Sequence, residues 1–346
     1  MSKSAESVAY IQIASVRYRH NLDYLSERLG SREKLCVVLK DNAYGHGLSE
    51  CAKIASESGI TKAMVRDLKE AQKIAELFEH ILILFPDQIS IDKRFGYVIN
   101  ETSVIETFPP ETRVHLKIDT GMHRNGIDPE ELEEALGSIT ERKLILYGVM
   151  THFRSADELG SDLFWQQKQW REIKERVLAF CQKHALPRPL FHSGNSATVL
   201  RLKTYEDDFA RCGIATYGYA SMDPVFGTFD LRPVLSLWGK KISTRQLPKG
   251  ARIGYGGILR LDHKRTVSTY DIGYGDGLPR FNGKGDLPIA DGRKILGRVS
   301  MDAICVEGDD EKVCIFEDAG VFADFFGTIV YDILVKLSPN LARVVL

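Results

Sequence analysis

The segment CVVLKDNAYGHG, residues 36–47, decides the fold: an apolar run ends in a lysine, and polar and glycine residues follow it. A short apolar run bounded in this way predicts a buried β-strand. Further runs of this kind end near Val65, Leu84, Ile99, Ile118, Met150, Ser193 and Ile214. Segments with helical periodicity lie between most of them, at 49–59, 67–80, 128–139 and 161–184. Eight strands alternating with helices predict an α/β fold, a (β/α)8 TIM-type barrel.

We place this barrel at residues 12–222 and expect a short connection at 85–95, where helical signal is weak. After about residue 222, short alternating runs separated by Gly and Pro replace the helical pattern, and Asp291-Gly292 predicts a hairpin turn. These runs are at 234–239, 266–275, 295–307 and 313–318. We therefore expect a mainly antiparallel β domain at 223–346, joined by an opening strand within residues 1–11.

Composition excludes several classes of protein. The 346 residues carry 46 basic and 47 acidic side chains, a net charge of −1, which provides no basic surface for nucleic acid. The longest apolar runs stop after about five residues, far below the ~20 needed to cross a bilayer. The first fifteen residues lack the apolar core of a secretory signal, so we expect a cytoplasmic protein without a membrane partner. The six cysteines form no C-x-x-C pair and no zinc spacing, so we expect no metal.

Polar residues gather directly after the predicted barrel strands, where barrel enzymes carry their active sites. The Gly- and Ser-rich turns after the last two strands, 193–198 and 211–219, favour a phosphorylated ligand. Lys40 follows four apolar residues, and a partly desolvated lysine there suits Schiff-base chemistry. Taken singly, residues such as Lys40, Arg124 and Arg211 are usually solvated surface charges, and one such as His152 is more often a core histidine.

Eight motifs, in order along the chain, resemble those of the alanine racemase family, which uses pyridoxal 5′-phosphate (PLP). They are VVLKDNAYGHG (37–47), LKIDTGMHRNGI (116–127), VMTHFRSADE (149–158), GNSAT (194–198), GIATYG (213–218), IGYGG (253–257), IGYGDG (272–277) and GRVSMD (297–302). The resemblance covers about residues 8–335. It implies a PLP-bearing barrel joined to a β domain, in a homodimer whose active sites are shared between subunits, and it implies D-alanine synthesis for peptidoglycan.

The resemblance also implies roles for single residues. Lys40 resembles the lysine that bears PLP and acts as one base, and Tyr255, from the partner subunit, resembles the opposite base. Arg211 is similar to the residue at the pyridine nitrogen, and His152 to the neighbour that orients it. The phosphate-contacting set is matched by Tyr44, Asn195, Ser196, Gly213 and Ile214. The substrate carboxylate contacts are matched by Arg124, Tyr274 and the main chain of Met301, with Asp302 ordering the residues beside them and Lys117 at a position that is carbamylated in many relatives.

This sequence also departs from the family pattern. The family usually has a phosphate-contacting tyrosine near the C-terminus, where this chain has Pro339, and Tyr331 is the nearest alternative. His123 stands where the family frequently has glycine.

Two other functions share parts of the architecture: a PLP-dependent decarboxylase and a non-catalytic PLP-binding barrel. IGYGG and GRVSMD favour racemisation over the first, and the extra domain with Tyr255 argues against the second.

Overall fold

Eight parallel strands pair side by side in one of the two structural units of this computed structural model, which describes residues 9–346. The chain opens with β1 (Tyr10–Ile13), and the parallel strands follow as β2 (Leu35–Val38), β3 (Lys62–Val65), β4 (His80–Ile83), β5 (Phe95–Ile99), β6 (Arg113–Lys117), β7 (Ile145–Met150), β8 (Leu190–His192) and β9 (Ala210–Cys212). Their order is β8-β7-β6-β5-β4-β3-β2-β9. Main-chain bonds from Arg211 N to Gly194 O and from Asp208 N to Phe191 O, each 2.9 Å long, link the two ends. The predicted barrel is confirmed.

The strands are buried along nearly their whole length; every residue of β2, β4 and β5 is buried. This is expected when helices cover the outside of a parallel sheet. The helices of this part of the chain are Ser15–Leu29, Leu48–Glu57, Leu68–Ile74, Leu132–Glu141, Asp162–Lys183 and Ser196–Arg201. Asp67 caps the third of these through the Glu70 N–H, and Asp128 forms a capping box one short 3-10 turn before the fourth. Residues 84–94 contain no helix, as the weak signal there predicted.

The second unit contains residues 9–17, Tyr44–Glu50 and Pro233–Leu346. Its strands are β10 (Leu235–Leu247), β11 (Arg252–Ile253), β12 (Leu259–Arg260), β13 (Arg265–Tyr270), β14 (Ile304–Glu307), β15 (Lys312–Phe316) and β16 (Ala342–Val345). The larger sheet has the order β14-β13-β10-β1-β16, with β15 also on β10. All its pairs are antiparallel except β1 with β16. The predicted mainly antiparallel β domain is confirmed, while the predicted limits of both domains stay predictions.

Local differences from the predicted strands have identifiable causes. The run at 295–307 forms a strand only at its end, because Gly297 takes φ +75° and turns the chain before β14. A Cβ at Gly297 would lie 2.9 Å from Ile253 O, so the close approach also requires glycine. The turn at Asp291-Gly292 is present, with Gly292 at φ +84° and a bridge between Pro288 and Lys294. The helices Gly320–Phe326 and Val330–Val335 and the strand β16 were not predicted.

Two further findings bear on the expected chemistry and location. All six cysteines are free thiols, and four of them are buried. Within residues 9–346, no helix combines the length and apolar character needed to cross a membrane. The predictions that concern residues 1–8, including most of the opening-strand segment, fall on positions outside the described chain.

Candidate active site

Lys40 follows β2 after one intervening residue, Leu39, and precedes a turn of left-handed backbone. Residues 41–44 have φ values of +53° to +55° although none of them is glycine. Left-handed backbone costs roughly 1–2 kcal/mol for each such residue, so the surrounding structure must hold it. Glu70 Oε1 accepts the Asn42 N–H at 3.0 Å, and Arg66 pairs with Asp41 at 3.1 Å. The Lys40 side chain is 35% exposed, and its Nζ lies 3.8 Å from Asp41 Oδ2.

A group of positive side chains meets above the ends of β6 and β7. Lys117 ends β6 and is 7% exposed. Burial, with the positive charges of Arg211 and Arg124, lowers the pKa of Lys117 from 10.5 to about 8. Burial, with the charges of Arg211 and Lys117, lowers the pKa of His152 from 6.5 to about 3. This region therefore has an excess of positive charge, and an anion or an electron-rich ring would be stabilised there.

Arg211 lies in β9 and is 3% exposed. Its Nη1 donates to His192 Nδ1 at 2.7 Å and to His192 O at 2.6 Å, while Nη2 donates to Thr151 O at 2.7 Å. These acceptors are neutral, and burial lowers the pKa of Arg211. His152, the predicted neighbour, is close enough to Arg211 for the charge of the guanidinium to lower the pKa of His152. The guanidinium is thus held by β7 and β8 in one orientation.

Main-chain donors converge beside Arg211 at the ends of β8 and β9. Ser196 Oγ accepts from Gly213 N at 3.1 Å and from Ala215 N at 3.3 Å. Asn195 caps the helix Ser196–Arg201, accepting the Thr198 N–H at 3.0 Å, and so fixes Ser196. Ile214 begins a 3-10 turn immediately after Gly213. A hydroxyl and adjacent N–H groups in such a turn can bind the oxygen atoms of a phosphate.

The predicted site residues of the other unit lie on three neighbouring turns. Gly275 N donates to Met301 O at 2.8 Å and Tyr274 N donates to Ser300 O at 3.1 Å, so Tyr274 and Met301 lie side by side. Asp302 is close enough to contribute, after burial and Asp276, to a raised pKa at Asp271. Tyr255 lies in the turn Tyr255–Gly257 and is 69% exposed.

Tyr44 and the C-terminal segment belong to this same unit. The Tyr44 ring packs against Tyr331, with ring centroids 5.7 Å apart. Pro339 is exposed and its carbonyl accepts from Arg343 at 2.9 Å. Tyr331 therefore contacts Tyr44, one of the predicted phosphate-binding residues. Pro339 contacts Arg343 instead.

The alanine racemase N-terminal domain model matches residues 13–221 and the alanine racemase C-terminal domain model matches residues 234–345. The chain belongs to the alanine racemase family. It is 49% identical to an alanine racemase of a Nitratiruptor species over 97% of this chain and 99% of the relative. It is 43% identical to one of Campylobacter jejuni (strain 81-176), with 97% and 99% covered. The family makes the chain a racemase, which favours that function over the two alternatives.

Solved structures of alanine racemases have the same fold. The crystal structure from Bacillus anthracis, with bound L-Ala-P, has a TM-score of 0.86 at 28% identity and covers 99% of this chain and 96% of that one. The structure from a D-cycloserine-producing Streptomyces lavendulae has a TM-score of 0.85 at 27% identity, with 99% and 98% covered. These similarities support the alanine racemase family from end to end.

The sequence analysis missed two residues that support the turn after β8, at Ser193 and Gly194. Asp207 accepts from Ser193 Oγ at 2.5 Å, from Trp170 Nε1 at 2.8 Å and from Lys174 Nζ at 2.9 Å. Tyr205 Oη accepts the Gly194 N–H at 2.8 Å. Both lie in an irregular segment before β9, where no periodic pattern distinguishes them. Their proximity to Ser193 follows only from the closure of the barrel.

One departure from the family pattern has a local explanation. His123, where glycine is frequent in the family, has φ +55°, in the left-handed region. Asp119 Oδ1 accepts the N–H groups of Gly121, Met122 and His123 at 2.8–3.1 Å and holds the turn. Glycine takes such backbone without strain, whereas histidine needs this support.

Proposed function

We propose that this racemase interconverts L-alanine and D-alanine with PLP held in the barrel unit. The observation that carries the proposal is the cluster at the ends of β8 and β9: Gly213 and Ala215 N–H groups converge on Ser196 Oγ, and a buried Arg211 stands beside them. These donors fit a phosphate, and a fixed arginine fits the ring nitrogen of a pyridine. The likeness to alanine racemases over both domains supports the same assignment.

When bound, PLP would draw electrons from Cα of the amino acid and make its hydrogen acidic. The chain must then remove that proton on one face and return it on the other, because a single base would restore the same enantiomer. Lys40 Nζ would hold or move the proton on one face, and Tyr255 Oη on the other. Lys40 suits this role because its side chain is partly exposed beside the left-handed turn that follows β2.

Arg211 would donate a hydrogen bond to the ring nitrogen without giving up its proton. Arginine keeps its charge at working pH even when burial lowers its pKa. The ring nitrogen would stay unprotonated, so the ring would withdraw fewer electrons, which disfavours side reactions such as transamination. Ser196, Asn195, Gly213 and Ile214 would hold the phosphate.

Lys117 and Arg124 would form a second element of the site. A lysine with a pKa near 8 is neutral in roughly a tenth of molecules at pH 7, and a neutral amine can react with CO2. The neutral amine forms an N–C bond to CO2 and releases one proton; with the proton already lost on forming that amine, a cationic lysine becomes an anion. We propose that carbamylated Lys117 would then hold Arg124 toward the substrate carboxylate.

Tyr255, Met301 and Tyr274 would act from a second copy of the chain. Their side chains are exposed, with exposed fractions of 69%, 54% and 38%. A homodimer would cover them and would bring the tyrosine and the carboxylate contacts to the barrel of its partner, with Asp302 ordering them. The D-alanine produced would serve peptidoglycan synthesis in the cytoplasm.

The test is incubation of PLP-loaded protein with each alanine enantiomer in heavy water. We expect deuterium at Cα and drift to a racemate from both sides. Deuterium uptake with retained configuration would indicate a one-base PLP enzyme, loss of CO2 would indicate a decarboxylase, and neither change would indicate a cofactor-binding protein. A coupled assay across L-amino acids of increasing size then measures substrate range, with alanine expected to react fastest.

A further inference from the structure

Three histidines lie buried inside the barrel and form a hydrogen-bonded row that ends at Arg211. His80 Nε2 lies 3.0 Å from His115 Nε2, and His115 Nδ1 lies 2.9 Å from His192 Nε2. His192 Nδ1 lies 2.7 Å from Nη1 of Arg211. The exposed fraction is 3% at His80 and 0% at the other two, so these groups depend on one another for hydrogen bonds.

The row has one direction. Arginine only donates, so His192 Nδ1 must accept and the proton of a neutral His192 must be on Nε2. That N–H donates to His115 Nδ1, which places the His115 proton on Nε2, facing His80. His80 therefore accepts through Nε2 and carries its proton on Nδ1. Burial lowers the pKa of all three imidazoles, that of His80 to about 3, which keeps them neutral.

The barrel leaves space for this row at two glycines. The three histidines come from β4, β6 and β8, alternate strands whose inward side chains share the barrel interior. A Cβ on Gly96, in β5, would lie 2.7 Å from both His115 Nε2 and His80 Cε1. A Cβ on Gly148, in β7, would lie 2.3 Å from His115 Nδ1. Each contact between histidines thus lies beside a glycine of the intervening strand.

We propose that His80 and His115 are positioning residues for Arg211, acting through a one-direction row of neutral imidazoles that ends at His192. Each bond in such a row polarises the next, so His192 Nδ1 becomes a stronger acceptor and holds the guanidinium in one plane. The described hydrogen-bond acceptors of Arg211 are neutral, which leaves its charge to act on a bound group. The value of this for PLP rests on the proposed function.

The energetic cost of the row falls at its other end. In the described part of the chain, His80 Nδ1 is buried and has no hydrogen-bond partner. The one-direction assignment puts a proton on this atom, so the unpaired donor lies two histidines away from Arg211. The His80 ring packs against the ring of Tyr147, with ring centroids 4.7 Å apart. The row therefore gives Arg211 Nη1 an acceptor and leaves the unsatisfied atom at the start of β4.

The decisive experiment is long-range proton–nitrogen NMR of nitrogen-15 histidine protein without PLP at pH 7. We expect His115 and His192 to be neutral with the proton on Nε2, and His80 to carry it on Nδ1. His80→Leu removes the acceptor for His115, so the His192 nitrogen shifts should change two histidines away. His80→Gln supplies an oxygen close to the position of Nε2 and should restore them. The exposed control, His263→Leu, should leave the row unchanged.

A second measurement connects the row to Arg211. His80→Leu should raise the PLP dissociation constant roughly 2- to 30-fold, the usual range for coupling through packed networks, and His80→Gln should bind nearly as the wild type does. An Nδ1 proton or a double proton on wild-type His192 would overturn the row, and so would unchanged His192 shifts or unchanged PLP affinity in His80→Leu. The wild-type spectrum decides the row if the leucine variant does not fold. Failure of wild-type protein to bind PLP would contradict the proposed function and leave the NMR result standing.

Discussion

The predicted site residues of the barrel are mostly buried, whereas those of the β domain are exposed. Arg211 and Lys117 are 3% and 7% exposed, while Tyr255 and Met301 are 69% and 54% exposed. In the barrel, burial and neighbouring charges already lower the pKa of Lys117, His152 and Arg211. The barrel residues are therefore held by their own unit, whereas the β-domain residues are exposed side chains that the proposed homodimer would cover.

This difference has a physical origin in the two architectures. Barrel strands end inside a mouth, where buried groups can be held by main-chain carbonyls of adjacent strands. The turns that carry Tyr255 and Tyr274 begin at Gly254 and Gly273, which permit conformations or close contacts that a side chain would prevent. Rigid backbone with exposed side chains suits contact with another molecule. Mutations in the two units should accordingly impair the protein in different ways.

The largest effect is expected from Lys40→Ala. The variant should lose the visible absorbance of lysine-bound PLP and about 10⁴-fold of racemase activity, because one residue supplies both the attachment and a base. Absorption spectra and a coupled alanine assay measure the two losses. Lys183→Ala, at the exposed end of the helix Asp162–Lys183, is the control and should match the wild type. Retained absorbance in Lys40→Ala would mean that another lysine carries PLP.

Tyr255→Phe should cost about 10²- to 10³-fold and should separate the two faces of the reaction. PLP should still bind, because every proposed cofactor contact of the barrel remains. If Tyr255 is assigned to the face that carries the α-hydrogen of L-alanine, proton abstraction from the L-enantiomer should suffer most, which deuterium isotope effects measured in each direction would show. Equal losses at both abstraction steps would contradict the assigned face. Tyr10→Phe, whose ring stacks on Trp238 in the sheet, serves as the control.

Acid should destabilise the barrel through its buried histidines. Burial lowers the pKa of four of them: His80, His115, His152 and His192. The unfolded chain binds protons near pH 6.5, but the folded barrel does not, so the free energy of unfolding is unaffected above that pH and falls below it. Four such groups predict a loss of about 2–4 kcal/mol between pH 6.5 and 5.5.

Urea unfolding at these two pH values measures the loss. A Trp238→Phe variant leaves Trp165 and Trp170, both in the helix Asp162–Lys183, as fluorescent reporters of the barrel. An unfolding free energy that stays flat from pH 6.5 to 5.5 would mean that the histidines are protonated in the fold or reach water. His20→Asn, on the outer helix Ser15–Leu29, is the matched control, because it replaces a histidine outside the group of four buried ones.

The barrel was predictable because each strand is a short apolar run that ends at a polar residue, and local patterns of that kind survive in one sequence. The left-handed turn at 41–44 was not predictable, since no glycine marks it and its support comes from Glu70 and Arg66, which lie well beyond it along the chain. The strands of the β domain were harder to predict, because Gly297 interrupts the alternating run at 295–307.

The site shows the same division. Lys40, Arg211 and Ser196 stand at strand ends, where position alone singles them out. The histidine row was missed because His80, His115 and His192 are 35 and 77 residues apart along the chain and come together only across the closed barrel. The period-2 spacing of His115 and Lys117 in β6 is the one signal that places both on an inward face.

The smallest effect is expected where the β domain contributes main chain rather than side chain. Met301→Leu should stay within about twofold of the wild type, because its proposed substrate contact is a backbone group and a volume-conserving change leaves the turn intact. Tyr274→Phe removes a hydroxyl and should cost roughly 2- to 13-fold in kcat/KM, the effect of one neutral hydrogen bond. Steady-state kinetics with L-alanine measure both variants side by side. A larger loss in Met301→Leu than in Tyr274→Phe would mean that the side chain of Met301 takes part in the proposed dimer contact. The contrast between the units would then rest on apolar packing rather than on hydrogen bonds.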